Sequence, residues 1–318
     1  MGCGSSAVLD AAAPYTVERT KLATADAGDC KQDDVGGKCE ESCAEQINDN
    51  PGFQFVPGAL SEEEIRGIQS FADGNLGLDE SSVHFMRRKK AIAFVFVLLG
   101  RVYSLEQNYF VQNESYNDFS GGIRRPFAKI SDDFLQNHLH AVIFRFAEYN
   151  KIPDKAIMLI QIQTSEVDKS EEGEVRRRLS ITGQGIHTDG HEKAMLACVR
   201  RNNVTGAENQ YFADLDGKHP LCQPRVLQEG DISFFTDNEL YHYVSSAGPE
   251  DPTVDMARTM LLMHYPAEDV LVGAANPNND GGTRKSEIKL REYERRISRR
   301  GSLRDALSYP PESRTIFL

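Results

Sequence analysis

Gly185-Ile186-His187-Thr188-Asp189-Gly190 is the stretch on which the reading of this chain turns. Residues two apart on a strand point to the same face. A strand end carrying His187 and Asp189 therefore offers an imidazole and a carboxylate to one metal ion. Two imidazoles and one carboxylate on one face of Fe(II) leave three positions open for further ligands. The second imidazole must come from a partner strand, and His242 lies in the strand-like Tyr241-His242-Tyr243-Val244-Ser245. Arg258 follows His242 by 16 positions (258 − 242), about one strand, one loop and the start of the next strand. A guanidinium there can grip a carboxylate in a bidentate fork. Each residue also has a plainer reading. His187 and His242 suit core histidines bonded across strands, Arg258 suits a surface ion pair, and His191 or His264 suits a different metal shell. On the residues alone these alternatives stay open.

The flanking segments narrow them. Ala194-Met195-Leu196-Ala197-Cys198-Val199 follows the motif, then Arg201-Asn202-Asn203-Val204-Thr205-Gly206-Ala207-Glu208 and Gly230-Asp231-Ile232-Ser233-Phe234-Phe235. The histidine strand comes next, and then Ala257-Arg258-Thr259-Met260-Leu261-Leu262-Met263-His264-Tyr265. This order, over about residues 150–268, resembles the 2-oxoglutarate/Fe(II)-dependent dioxygenases of the free amino-acid hydroxylase (isoleucine dioxygenase-like) type. Thr188 stands where the resemblance leads us to expect a larger polar residue. Ala207 stands in place of one glycine of a Gly-Gly-Glu-like turn. Neither is a ligand position, so both bear on the substrate and not on the metal.

The resemblance implies a double-stranded β-helix, or jelly roll, with Fe(II) on His187, Asp189 and His242. It implies 2-oxoglutarate as co-substrate, with Arg258 holding its far carboxylate. It further implies O₂ as oxidant and hydroxylation of a small substrate, a free L-amino acid or related amine-bearing acid. Hydroxylation of a protein side chain is the alternative. A non-catalytic, membrane-anchored scaffold that keeps the fold is another.

The remaining chain frames this core. Its 318 residues allow a sizeable core, and a formal net charge of −12 argues against a general nucleic-acid binder. The cysteines at 3, 30, 39, 43, 198 and 222 form no close-spaced framework, which points to a reducing compartment, the cytoplasm. Cys198 reads as a buried thiol, and Cys30, Cys39 and Cys43 lack a fourth partner for zinc. Met1-Gly2-Cys3-Gly4-Ser5-Ser6 fits N-myristoylation at Gly2 with palmitoylation at Cys3. Two acyl chains would hold the protein on the cytoplasmic face of a membrane. Residues 1–50 read as a disordered tether.

The dioxygenase domain is expected over 51–275, helical in 51–150 and β-helical in 151–275, an all-β core with flanking helices. Phe53–Val56 reads as a strand. Ser61-Glu62-Glu63-Glu64 is a capping box ahead of Ile65, Ile68 and Phe71. Ala91–Leu99 is too short to span a membrane and reads as buried, with Arg87-Arg88-Lys89-Lys90 before it as a solvated turn. Ser131 caps a helix whose stripe is Leu135, Leu139, Val142, Ile143 and Phe146. Gln161 and Gln163 share a face that is either cavity wall or solvated. Ser165–Ser180 is a charged insert, a lid or a disordered loop. A basic helical tail, 276–318, carries Ser298 and Ser302 in sites suited to basophilic kinases, and its arginines suit anionic lipid.

Overall fold

The computed structural model describes residues 52–80, 87–112, 116, 121–169, 180–182, 184–268 and 270. Gly2, Cys3, the cysteines at 30, 39 and 43, most of the charged insert and the tail 276–318 lie outside the described residues. Among the described residues no helix is long and apolar enough to cross a membrane.

Ten strands and three helical segments place the site. They are β1 (Phe53–Val56), α1 (Glu62–Asn75), β2 (Arg88–Leu98), α2 (Asp132–Phe134), α3 (His140–Tyr149), β3 (Met158–Val167), β4 (Lys193–Asn202), β5 (Val204–Gly206), β6 (Glu208–Phe212), β7 (Ile232–Phe235), β8 (Tyr241–Val244), β9 (Ala247–Pro249) and β10 (Met256–Tyr265). The large sheet runs β1-β7-β4-β10-β3-β2 and ends on Gly77–Leu78, with Arg101–Ser104 and Ala128–Lys129 also pairing with β2. Facing it, β6 pairs with β8 and with Arg225–Val226, and β5 pairs with β9. This is the two-sheet jelly roll that the resemblance implies.

Strand alternation gives the large sheet two different faces. Ala91, Ala93, Val95, Ile160, Ile162, Met195, Ala197, Leu261 and Met263 point to one side and share a core with Ile68, Phe71, Leu135, Leu139, Val142, Ile143 and Phe146 of the helical layer. Full burial of such an aliphatic or aromatic side chain contributes roughly 1.5–3 kcal/mol. The helices start where the sequence says. Ser61 and Glu64 close a reciprocal capping box, and the Ser131 hydroxyl accepts from Phe134 N. A π-helical turn, Leu135–Leu139, joins α2 to α3 and keeps the apolar stripe on the sheet.

The opposite face forms a floor of side chains in four rows, read from the pairing registers. Arg88, Ser165, Arg258 and Arg201 form the first. Lys90, Gln163, Met260 and Cys198 form the second; Ile92, Gln161, Leu262 and Leu196 form the third. Phe94, Leu159, His264 and Ala194 form the fourth. The register slips between Thr259 and Met260, leaving one extra residue on β4, and this bulge brings Arg201 opposite Arg258.

The floor corrects one expectation. Arg87–Lys90 is not a solvated turn, because β2 begins at Arg88. Alternation carries Arg88 and Lys90 onto the floor, where they are 7% and 6% exposed. Arg87 and Lys89 turn the other way and meet Glu166 at 3.5 and 2.7 Å. Gln161 and Gln163 are buried on the same floor, which settles them as cavity wall.

The turn from β5 into β6 has a strict backbone requirement. Gly206 sits at φ +77, followed by Ala207 at φ +58, and a Cβ on Gly206 would overlap the Ser246 carbonyl oxygen. Gly206→Ala is expected to destabilise the fold by about 2–4 kcal/mol, the left-handed backbone penalty plus the overlap. A fall in the urea midpoint with an unchanged slope checks this; an unchanged midpoint contradicts it.

Candidate metal centre and cavity

His187 does not lie in a long strand. It forms an isolated antiparallel bridge with His242, closed by His187 N–His242 O at 3.0 Å and His242 N–His187 O at 2.9 Å. The bridge brings the two imidazoles together from segments 55 residues apart (242 − 187), with ring centroids 4.2 Å from each other. Asp189 completes the group. Its Oδ1 is 3.8 Å from His187 Nε2 and its Oδ2 is 3.6 Å from His242 Nε2. One ligand-type atom from each residue lies within 4.8 Å of the others, a spacing that accommodates one metal ion. His187 Nδ1 lies 2.9 Å from Gly185 O, so the ring donates there and keeps the Nε2 lone pair for the centre.

Asp237 organises this group, and nothing in its sequence context announces it. It is fully buried just beyond β7 and accepts from Asp189 N at 2.9 Å and from His191 N at 3.0 Å. Its Oδ1 approaches His242 Nδ1 at 3.2 Å without the alignment of a full hydrogen bond. Burial pulls the His242 pKa down, but the Asp237 and Asp189 carboxylates outweigh it and leave the net shift upward. His187 is pulled down, by burial first and by the nearby His242 second. Burial also opposes an ionised Asp189, yet His264, His242 and His187 together hold its carboxyl well below the usual range.

We expect Asp237→Asn to weaken metal binding about 10–100-fold, the usual cost of removing a supporting carboxylate. Titration with Fe(II) under anaerobic conditions checks this; unchanged affinity in folded protein contradicts it.

The two histidines left as alternative ligands stand beside the centre. His264 Nε2 is 3.5 Å from Asp189 Oδ2, and its Nδ1 is 3.3 Å from Gln161 Nε2. His191 Nδ1 meets Pro266 O at 2.7 Å, and its ring packs on His264. Among the described residues the metal-sized cluster is His187, Asp189 and His242.

These residues open into a cavity of about 130 Å³ between the two sheets. Its walls include Phe110, Leu159, Leu196 and Leu262, with Asn209, Tyr211 and Tyr243 from the smaller sheet. Tyr211 is core as much as wall, fully buried and bonded to Ser233 Oγ at 2.6 Å.

Arg258 lies on the floor of this cavity, 5% exposed. Burial pushes its guanidinium down to about 10, Cys198 opposing and Arg201 adding to the effect. No carboxylate among the described residues pairs with it, and its Nε has no partner. Arg258 is therefore not a surface ion pair. Buried charge of this kind calls for a counter-ion, and Ser165 Oγ and Gln161 Oε1 are likewise buried without partners on the same floor.

A second cationic group lines the cavity. Arg88 is paired with the buried Asp79 at 3.0 Å, Arg125 stands over the Phe110 ring, and Lys90 lies between Phe110 and Phe127. Burial, then the charge of Arg88, brings the Lys90 ammonium down to about 7, with Arg125 adding and Asp79 and Asp189 opposing.

The partly buried cluster of two imidazoles and one carboxylate lines the same cavity as an unpaired buried arginine, and together they have the donor set for Fe(II) and the counter-charge for a 2-oxo dicarboxylate. Comparison with known proteins agrees. The sequence matches the model of the 2OG-Fe dioxygenase family over residues 72–264, more than half of the chain. Among solved structures, a bsmA homolog from Methylobium petroleophilum PM1 shares the fold, with a TM-score of 0.51, 19% identity, and coverage of 67% of this chain and 87% of that one. IDO from Bacillus thuringiensis is 18% identical, with a TM-score of 0.49 over 67% of this chain and 90% of that one. A comparison with curated proteins found no match. The chain belongs to the 2OG-Fe dioxygenase family, oxidoreductases that use Fe(II), 2-oxoglutarate and O₂.

Proposed function

We propose that the protein hydroxylates a small substrate, a free L-amino acid or related amine-bearing acid, with Fe(II) held by His187, Asp189 and His242 and 2-oxoglutarate held through Arg258. The observation that carries this reading is the convergence of the three ligand-type side chains and the uncompensated Arg258 guanidinium on one cavity. Bound there, Fe(II) and 2-oxoglutarate supply O₂ activation and the two-electron oxidation, with 2-oxoglutarate leaving as succinate and CO₂. The chain's own residues supply position and shelter. Gly185 O fixes the His187 tautomer, and Asp237 holds the turn bearing Asp189. Arg258 receives the distal carboxylate of 2-oxoglutarate. Phe110, Leu159, Leu196 and Leu262 keep water from the substrate.

Succinate release tests the proposal. Fe(II)-loaded protein is given 2-oxoglutarate, O₂ and a panel of L-amino acids, with His187→Ala as control. Succinate that rises with one panel member and is absent in the variant is the expected result. Succinate that never responds to the panel, in protein that turns over 2-oxoglutarate alone, removes the amino-acid reading.

A further inference from the structure

The cavity has two places for an anion, and only one is needed for 2-oxoglutarate. Arg258 is one place, buried on the floor with no carboxylate partner among the described residues. The other surrounds Lys90 at the far side of the floor, two strands away in the pairing order β10-β3-β2. Lys90 is 6% exposed and lines the cavity. Asp79 is already engaged by Arg88, and Asp189 belongs to the metal-sized cluster. Among the described residues no carboxylate pairs with the Lys90 ammonium. The Phe110 and Phe127 rings, with centroids 5.8 and 5.3 Å from Nζ, soften that burial without supplying a charge.

We infer that the substrate is an anion and that its acid group is received by Lys90, with Arg88 and Arg125 beside it. This rests on the oxygenase reading of the same cavity. Buried charges in folded proteins are paired or bind ions, and a lysine held this way discards stability unless a ligand uses it. A point-charge ammonium suits one oxygen of a small carboxylate, whereas the forked Arg258 suits the bidentate grip assigned to 2-oxoglutarate. Lys90 is thus a specificity residue, selecting acids over their esters and amides.

The test follows thermal unfolding of anaerobic protein loaded with Fe(II) and 2-oxoglutarate. The probes are the L-amino acids and short branched and unbranched carboxylic acids, each beside its methyl ester or primary amide. At least one acid is expected to raise Tm, at a half-saturating concentration about ten-fold or more below that of its ester. Lys90→Met should lose that preference while its titration with 2-oxoglutarate alone is unchanged. Lys90→Arg should recover part of it.

Met is close to Lys in length and removes an unpaired buried charge, so the ligand-free Tm of Lys90→Met should equal or exceed that of the unsubstituted protein. Three results would overturn the inference: no acid shifting Tm, acid and ester acting alike, or Lys90→Met keeping the preference. Loss of 2-oxoglutarate binding in Lys90→Met but not in Arg258→Met would overturn it too, by exchanging the two roles. Failure of the unsubstituted protein to bind 2-oxoglutarate at all would instead sink the oxygenase reading on which the inference rests.

Discussion

His187→Ala protein will fold, take up no stoichiometric Fe(II), and release no succinate from 2-oxoglutarate. Among the described residues, the side chain is one of three that converge within metal-binding reach, and its Nε2 is presented by the bond from Nδ1 to Gly185 O. Loss of a supporting hydrogen bond alone costs a metal site roughly 10–100-fold in affinity, and loss of the ligand atom costs more. The backbone bridge to His242 uses main-chain groups and survives the substitution. Thermal unfolding near that of the unsubstituted protein, together with empty metal analysis, is therefore the expected pair of results. If the histidine were a packing residue, Tm would fall and iron would stay.

Arg258→Met should behave differently: Fe(II) binds as before, but affinity for 2-oxoglutarate drops. Truncating one partner of a buried, hydrogen-bonded charge pair costs about 2–5 kcal/mol, roughly 30-fold or more in Kd. Without 2-oxoglutarate the substitution should be neutral or stabilising, since no carboxylate among the described residues compensates the guanidinium. A structural arginine predicts the opposite pair, an unchanged Kd and a lower Tm. Calorimetric titration of 2-oxoglutarate into anaerobic, Fe(II)-loaded protein, with a melt of the unloaded protein, separates the two.

Much of this site is legible in the sequence itself. His187, Asp189, His242 and Arg258 are chemically distinctive, and their order among apolar strand segments is informative. The helix stripes and both serine caps are equally readable, because periodicity and capping are local. What stays hidden depends on distant pairing. Lys90 sits opposite Gln163, 73 residues on (163 − 90). Four consecutive basic residues look solvated until that register shows that alternate ones are buried. Asp237 acts through backbone amides of Asp189 and His191, 46 to 48 residues away, and such partners leave no mark on side-chain spacing. His264 resembles a rival ligand in the sequence because its place beside Asp189 follows only from the register of β10. Ala207 departs from the expected glycine yet holds the same left-handed backbone, so that turn keeps its shape with a different residue.

One cavity is expected to bind both Fe(II), on His187, Asp189 and His242, and 2-oxoglutarate, on Arg258. The most direct measurement is an anaerobic titration of 2-oxoglutarate into Fe(II)-loaded protein, followed by the visible charge-transfer absorption of a 2-oxo acid chelated to ferrous iron. One 2-oxoglutarate per iron is expected, with no absorption in His187→Ala and the same absorption at much higher 2-oxoglutarate in Arg258→Met. Absorption that persists in His187→Ala, or its absence from protein carrying one iron per chain, would contradict that expectation.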